Sequence, residues 1–318
     1  MERMDFVQFQ EYVKEQFLNR LSKNEKENVT ISIIPTRKTN CVYAGFIAKP
    51  DNKSFAPTIY LDNFYEDYVS GEILDSIIDR IYKLWKNNID GPDGMEIDAF
   101  IKKFQNFNCI KDNIIANVIN VKRNEEFLAT VPHKIFEDLA IIYKVIVDEH
   151  SKEFATVTIQ NQHLGYWDIE TEDIVNVLHE LAMENTKRLL PCKSCTMIEV
   201  VAEMMDISVE EAKEMMPKDP MNEMYILSNR MKTHGAITMF FEDVLSEISE
   251  KLGSNLYIMP SSIHEVIIVE SDLHDPEGLN RLVSDVNDTT LGPEEYLSGS
   301  VYYFDAKTKE LSVAVAGK

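Results

Sequence analysis

Apolar residues in this chain follow two rhythms, and the alternation between them is what most limits the folds open to it. Short apolar runs bounded by turn formers read as strands: VTISIIP, CVYAGFIAKP, NIIANVINV, LAIIYKVIVDE, FATVTIQ, MYILS, LYIMP, EVIIV, SVYYFD and ELSVAVA. Between them lie stretches with helical period. Phe6, Phe9, Val13, Phe17 and Leu21 recur at spacings of three and four, as do Ile73, Ile77, Ile81 and Trp85. Thr171, followed by two acids, opens DIVNVLHELAMENTKRLL as an N-cap. GAITMFFEDVLSEISEKLG carries Ile237, Phe240, Val244, Leu245, Ile248 and Leu252 on one face and ends at Gly253, a C-cap. Asp275-Pro276 starts another helix, since proline fits the first turn. APTIYLDNFYEDY reads as a strand running into aromatic-rich coil, and Thr36–Asn40 as the turn between the first two strands.

The mixture predicts an α+β protein built of two modules of mixed β-α-β-β-α type, with sheets covered by helices. NNIDGPDG, over Asn87–Gly94, is dense in turn formers and serves as the linker. It separates an N-terminal region over residues 1–90 from a C-terminal region over 95–318. Within the second, Cys195–Met224 is expected to be helical and methionine-rich, an insertion over residues 195–222. Ser208 and Glu211 form a capping-box pattern there. Methionines 197, 204, 205, 215 and 216 stand at helical spacing; they offer an adaptable binding surface, but methionine at such spacing is more often core, and core is the expectation.

Charge is the strongest compositional signal. The 318 residues hold 32 basic and 54 acidic side chains, a net −22, which disfavours nonspecific binding to nucleic acid. The acids concentrate: residues 196–250 carry twelve against four bases, and residues 260–300 carry nine against Arg281 alone. An exposed acidic face with Glu210, Glu211 and Glu214 is therefore a candidate surface for a basic or DNA-binding protein partner. Four cysteines in so long a chain do not suggest a disulfide scaffold. The N-terminus is charged and amphipathic, without a signal-peptide core, and no apolar run reaches membrane-spanning length. These features predict a cytoplasmic chain with no membrane partner.

The motifs that carry chemistry fall short one by one. Pro260-Ser261-Ser262-Ile263-His264-Glu265 sets hydroxyls beside an imidazole, yet it joins two apolar strands and is turn chemistry. A serine nucleophile also needs an oxyanion hole and a converging base, and no G-x-S-x-G elbow occurs. His179-Glu180 lacks the second histidine that a zinc helix requires. Cys192-Lys193-Ser194-Cys195 lacks two further ligands at comparable spacing. With 11 glycines and no phosphate-cradling loop, nucleotide sites of the usual kinds are not expected, and neither cofactor nor metal is implied.

Four segments carry a family resemblance: APTIYLDNFYEDYVSG, AMENTKRLLP, MYILSNRMKTHGA and LYIMPSSIHEVIIV. They resemble an uncharacterised bacterial group defined only as a domain of unknown function and carried on mobile and conjugative elements of gut anaerobes. The resemblance implies a bacterial protein, cargo of such an element, and supplies no catalytic residues.

Two classes of function follow. The first is a non-enzymatic acidic interaction or regulatory protein, whose sharper form is a DNA mimic acting against host defence. The second is an enzyme, hydrolase-like, with a site assembled from distant polar residues. Its cleft would gather Asn185 and Arg188, Asn229 and His234, and Ser261 and His264.

Overall fold

The computed structural model describes residues 3–53, 56–89, 102–148, 155–167, 173–215, 224–260 and 262–317. The protein is α+β, and every strand pairing among the described residues is antiparallel. The chain divides into two compact units, Met1–Phe100 and Ile101–Lys318. The Asn87–Gly94 stretch is described only through Ile89. Among the described residues no helix is long and apolar enough to cross a membrane.

The first unit runs α1 (Phe6–Arg20), α2 (Lys23–Glu27), β1 (Val29–Lys38), β2 (Cys41–Pro50), β3 (Thr58–Tyr60), α3 (Leu61–Ser70) and α4 (Leu74–Asn88). Asp5 and Gln8 close a capping box at the start of α1, which buries Phe9, Val13 and Phe17 as its spacing requires. The sheet order is β1-β2-β3. Strand β1 passes through Pro35 to Lys38, which shrinks the expected turn to Thr39 and Asn40, the latter at φ 63. Proline is tolerated there because β1 is an edge strand and needs no outward donor. The aromatic stretch after β3 is helix α3 and not coil: Leu61 and Phe64 are buried one turn apart, and Gly71 at φ 103 stops it. Phe17 meets Phe46 and Trp85 edge-on, at 4.9 and 5.5 Å between ring centres, and Trp85 Nε1 donates to Ala48 O at 2.7 Å.

The second unit holds two sheets. In the first, β6 (Leu139–Asp148) pairs β4 (Ile114–Asn120) along one edge, and β5 (His133–Phe136) and β7 (Ala155–Thr158) along the other. Helix α5 (Ile174–Leu189) packs on β4, where Thr186 Oγ1 accepts from Ala116 N at 2.9 Å. The expected cap Thr171 lies outside the described residues. The second sheet has order β13-β12-β10-β11-β9-β8, from β8 (Cys192–Thr196), β9 (Tyr225–Asn229), β10 (Leu256–Met259), β11 (Val266–Glu270), β12 (Val301–Asp305) and β13 (Glu310–Val315).

Between these strands come α6 (Met197–Met205), α7 (Val209–Met215), α8 (Glu242–Leu252) and α9 (Pro276–Thr289). Leu279 and Val283 of α9 pack against Met224, Met259, Val269 and Val301. Gly235–Phe240 is a 3-10 turn, so the helix expected from Gly235 begins only at Glu242; its end at Gly253, φ 69, is as expected. The expected helix from Cys195 starts two residues late, because Cys192–Thr196 pairs with β9 as a strand. Methionine burial also differs from expectation. Ala202 and Ala212 are the buried residues of α6 and α7, and Met204, Met205 and Met215 point outward, 82%, 51% and 64% exposed. Met197 does pack as expected, half-buried against the cluster of Met224, Met259 and Val269. Met216 lies outside the described residues.

Candidate functional site

Strands β4 and β6 are almost wholly apolar, and two polar side chains interrupt them on one face. Ile115 pairs with Lys144 and Asn117 with Ile142, so Asn117 and Lys144 stand diagonally on the same side of the sheet. With its amide turned to satisfy both neighbours, Asn117 donates to Ala116 O at 3.0 Å and accepts from Lys144 Nζ at 3.3 Å. Among the described residues Lys144 has no carboxylate partner. Burial pushes its ammonium down to about 8.

Facing this sheet is the loop that leaves β9. Asn229, fully buried, organises it from within: Nδ2 donates to Thr233 O at 2.8 Å and Oδ1 accepts from Met231 N at 2.9 Å. Lys232 and His234 take left-handed backbone at φ 53 and 52. At Gly235 the chain passes through a gap that admits no side chain. A Cβ there would lie 2.6 Å from both Asn229 N and His264 O, and against Ser228 Oγ as well. Gly235 N and Ser228 Oγ both donate to His264 O, at 3.0 and 2.7 Å.

His264 belongs to the β10–β11 connection and locks the loop from the other side. Its Nδ1 accepts from His234 N at 3.2 Å, so a neutral ring carries its proton on Nε2, which lies 4.0 Å from Glu295 Oε1. Its own N–H donates to Ser262 Oγ at 3.0 Å. The two imidazoles lie 5.6 Å apart between centres. Burial, reinforced by Lys144 and then His264, drives the His234 imidazole down to about 3.

Lys144, Asn117 and His234 thus form a small polar island on an apolar face. Near neutral pH, Lys144 is mostly charged with a minor free-amine population, and His234 is neutral. The island can attract an anion, exchange a proton through the amine, or offer a neutral ring nitrogen as acceptor. His264 has a positioning part, with one ring nitrogen directed at the His234 loop and the other at Glu295.

Of the residues singled out from sequence, Asn229, His234 and His264 come together. Ser262 accepts from backbone as a turn residue does, and Ser261 lies outside the described residues. Asn185 and Arg188 form a separate clamp at the end of α5. Asn185 Nδ2 donates to Lys111 O and Ile114 O at 2.8 and 3.0 Å, and Arg188 Nη2 to Asp112 O and Asn185 Oδ1 at 2.6 and 2.9 Å. They hold the turn before β4, and no described contact joins them to the histidines.

Glu210, Glu211 and Glu214 are exposed on α7. Glu211 also caps that helix, accepting from Ser208 N at 2.9 Å, which holds its carboxyl below the usual range. On strand β8, Cys192 and Cys195 are three positions apart and so face opposite sides of the sheet, a poor arrangement for a shared metal. Burial, with Asp243 and Glu247 adding, pushes the Cys192 thiol up to about 12. His179 is a boundary residue whose Nδ1 lies 3.4 Å from Tyr143 OH. Sequence reading passed over Lys144 and Asn117. The available signal was a lysine in the middle of an otherwise apolar strand, where such a residue is rarely buried without a partner.

A family model of unknown function (DUF5688) matches residues 6–306, and the chain belongs to that family. No curated protein matches the chain. No solved structure matches it either.

Proposed function

We propose that the second unit binds a small carboxylate or phosphate anion at the Lys144–His234 island. One observation carries the reading: a half-buried lysine without a carboxylate partner among the described residues, near the His234 imidazole, in a chain of net charge −22. A buried cation left unneutralised is costly, and an anion that pairs with it recovers part of that cost. Asn117 fixes the amine, and the locked His234 loop forms the opposing wall. The arrangement favours a site assembled from distant residues, the class in which a hydrolase-like enzyme would fall.

Acetate and inorganic phosphate, added at constant ionic strength, test this by thermal unfolding. Ligand at ten times its Kd stabilises by about 1.4 kcal/mol, so a rise of a few degrees is expected in the parent and none in Lys144→Met. No rise with either anion, or an equal rise in the variant, would sink the proposal.

A second reading rests on the exposed face of α6 and α7. Glu210, Glu211 and Glu214 stand on the same helix pair as exposed Met204, Met205 and Met215, a mixture of acid and apolar surface suited to a basic protein. The DNA-mimic role, and carriage on a mobile element, belong to this reading. Replacing the three glutamates with glutamine should slow association with any basic partner captured at low salt. An unchanged association rate would leave the acids with solubility alone.

A further inference from the structure

A second cleft in the same unit has opposite charges that do not neutralise each other. It has a volume of about 420 Å³ and is lined by Lys122, Arg123, Glu137, Asp138, Tyr296 and Val313, among others, so that each sign of charge occurs twice. Arg123 sits over the Tyr296 ring, its guanidinium carbon 3.7 Å from the ring centre. Stacking of this kind uses the face of the guanidinium and leaves its edge of N–H donors free. Among the described residues none of those side-chain donors has a protein acceptor.

Asp138 forms the other pole. It follows Glu137, which turns between β5 and β6 at φ 54, a left-handed conformation that costs a non-glycine residue. Asp138 accepts from Ser298 Oγ at 2.6 Å and from the Tyr302 hydroxyl, one on each carboxylate oxygen. A carboxylate has about four acceptor positions, so two remain, and no cation among the described residues fills them. The wall is fixed as well. Gly317 packs backbone to backbone on Gly299, where a Cβ would lie 2.6 Å from the Gly299 carbonyl carbon, and its N–H donates to Ser300 Oγ at 2.9 Å. Val313 and Ala316 supply an apolar floor.

We infer that this cleft binds a small zwitterion of the free α-amino acid class. The ligand carboxylate meets the edge of Arg123, its ammonium meets Asp138, and an aliphatic side chain lies on Val313 and Ala316. An anion alone would leave Asp138 facing it with like charge, and a cation alone would face Arg123. Only a ligand bearing both charges answers both poles. The volume falls within the range of ordinary small-molecule sites, roughly 300–1,000 Å³.

The experiment is calorimetric titration of the intact chain with each of the twenty amino acids, then with N-acetyl and methyl-ester forms of the best binder. The expected result is one site for at least one aliphatic amino acid, weakened tenfold or more by blocking either end. Arg123→Gln and Asp138→Asn should each reproduce that loss. Asp138 also anchors two hydroxyls and its variant can fail to fold, so the comparison of blocked ligands on the parent chain stands by itself. Lys144→Met should leave the titration unchanged, which separates this site from the anion site. Binding by none of the twenty, equal binding of a blocked form, or loss of binding in Lys144→Met would each overturn the inference.

Discussion

Replacing Lys144 with methionine should stabilise the protein, and the gain should depend on pH in a defined direction. The ammonium has an ordinary value of 10.5 and is pushed to about 8 in the fold. At about 1.36 kcal/mol per pH unit, the difference corresponds to at most roughly 3 kcal/mol of destabilisation when the group is charged in both states. Below pH 8 both folded and unfolded chains hold the proton, and the whole penalty stands. Between pH 8 and 10.5 the unfolded chain binds more protons, so parent stability rises through that window. Methionine keeps the length, removes the charge and sits among apolar neighbours on the face of Ile115 and Ile146. It leaves the Asn117 oxygen without a donor, an offset of about 1 kcal/mol. Urea unfolding at pH 7 should then show the variant more stable by about 1–2 kcal/mol, and the difference should vanish or reverse by pH 10.5. A variant less stable than the parent at pH 7, or a difference that does not change with pH, would refute the reasoning.

Other expectations follow from single contacts. Gly235→Ala drives a Cβ into Asn229 N, His264 O and Ser228 Oγ, and should cost at least about 2 kcal/mol in urea unfolding. Asp275→Ala removes the carboxylate that accepts from Gly278 N at 2.8 Å and should lower stability by about 1 kcal/mol. At pH 8 Cys192, pushed up to about 12, should react with iodoacetamide at least tenfold more slowly than exposed Cys109, as read by mass spectrometry of the alkylated peptides. As the pH falls from 6.5, His234 should contribute declining stability: its folded value lies far below its ordinary one, so the unfolded chain takes up the proton first. His234→Gln should flatten that acid limb.

What sequence could reveal depended on whether a signal was local. Helices α1, α4 and α9 were legible because their apolar residues recur on one face, and α9 also because its cap Asp275 adjoins Pro276. The β10–β11 and β12–β13 hairpins were legible for the same reason. Cys192–Thr196 was not, since its strand character comes from pairing with β9 across the α6–α7 insertion. The stretch DNFYEDY was read as coil because Asp62, Asn63 and Asp67 suit turns, and only Leu61 and Phe64 are buried on the α3 face. The histidine pair was half legible. His234 and His264 stood out as polar residues near apolar strands, but nothing local says that the Nδ1 of one receives the backbone N–H of the other, 30 residues away. Lys144 was hidden because its meaning lies in the partner it lacks, which no spacing records.

The strap Glu295–Ser300 joins the two clefts and gives the last test. Glu295 faces His264 with its side chain and receives Ile263 N at 2.8 Å. Its neighbour Tyr296 carries Arg123 on its ring, Leu297 O accepts from Asn120 Nδ2 at 2.9 Å, and Ser298 N donates to Pro260 O at 3.0 Å. Glu295→Gln leaves these backbone bonds intact and removes only a charge beside His264, so it should leave Arg123 stacked and stability within about 0.5 kcal/mol. Tyr296→Ala removes the platform under Arg123 and a half-buried ring whose burial, against the opposing pull of Arg123, holds its phenol above the ordinary range. It should cost about 2–4 kcal/mol and release the guanidinium, whose side-chain proton resonances should lose the ring-current shift of Tyr296. Because the strap is backbone-bonded to the His264 connection on one side and held by the Asn120 side chain of β4 on the other, the imidazole resonances of His234 and His264 should move with it. A Tyr296→Ala spectrum in which those imidazole signals stay in place would show that the clefts are mechanically independent, with the strap only a cover.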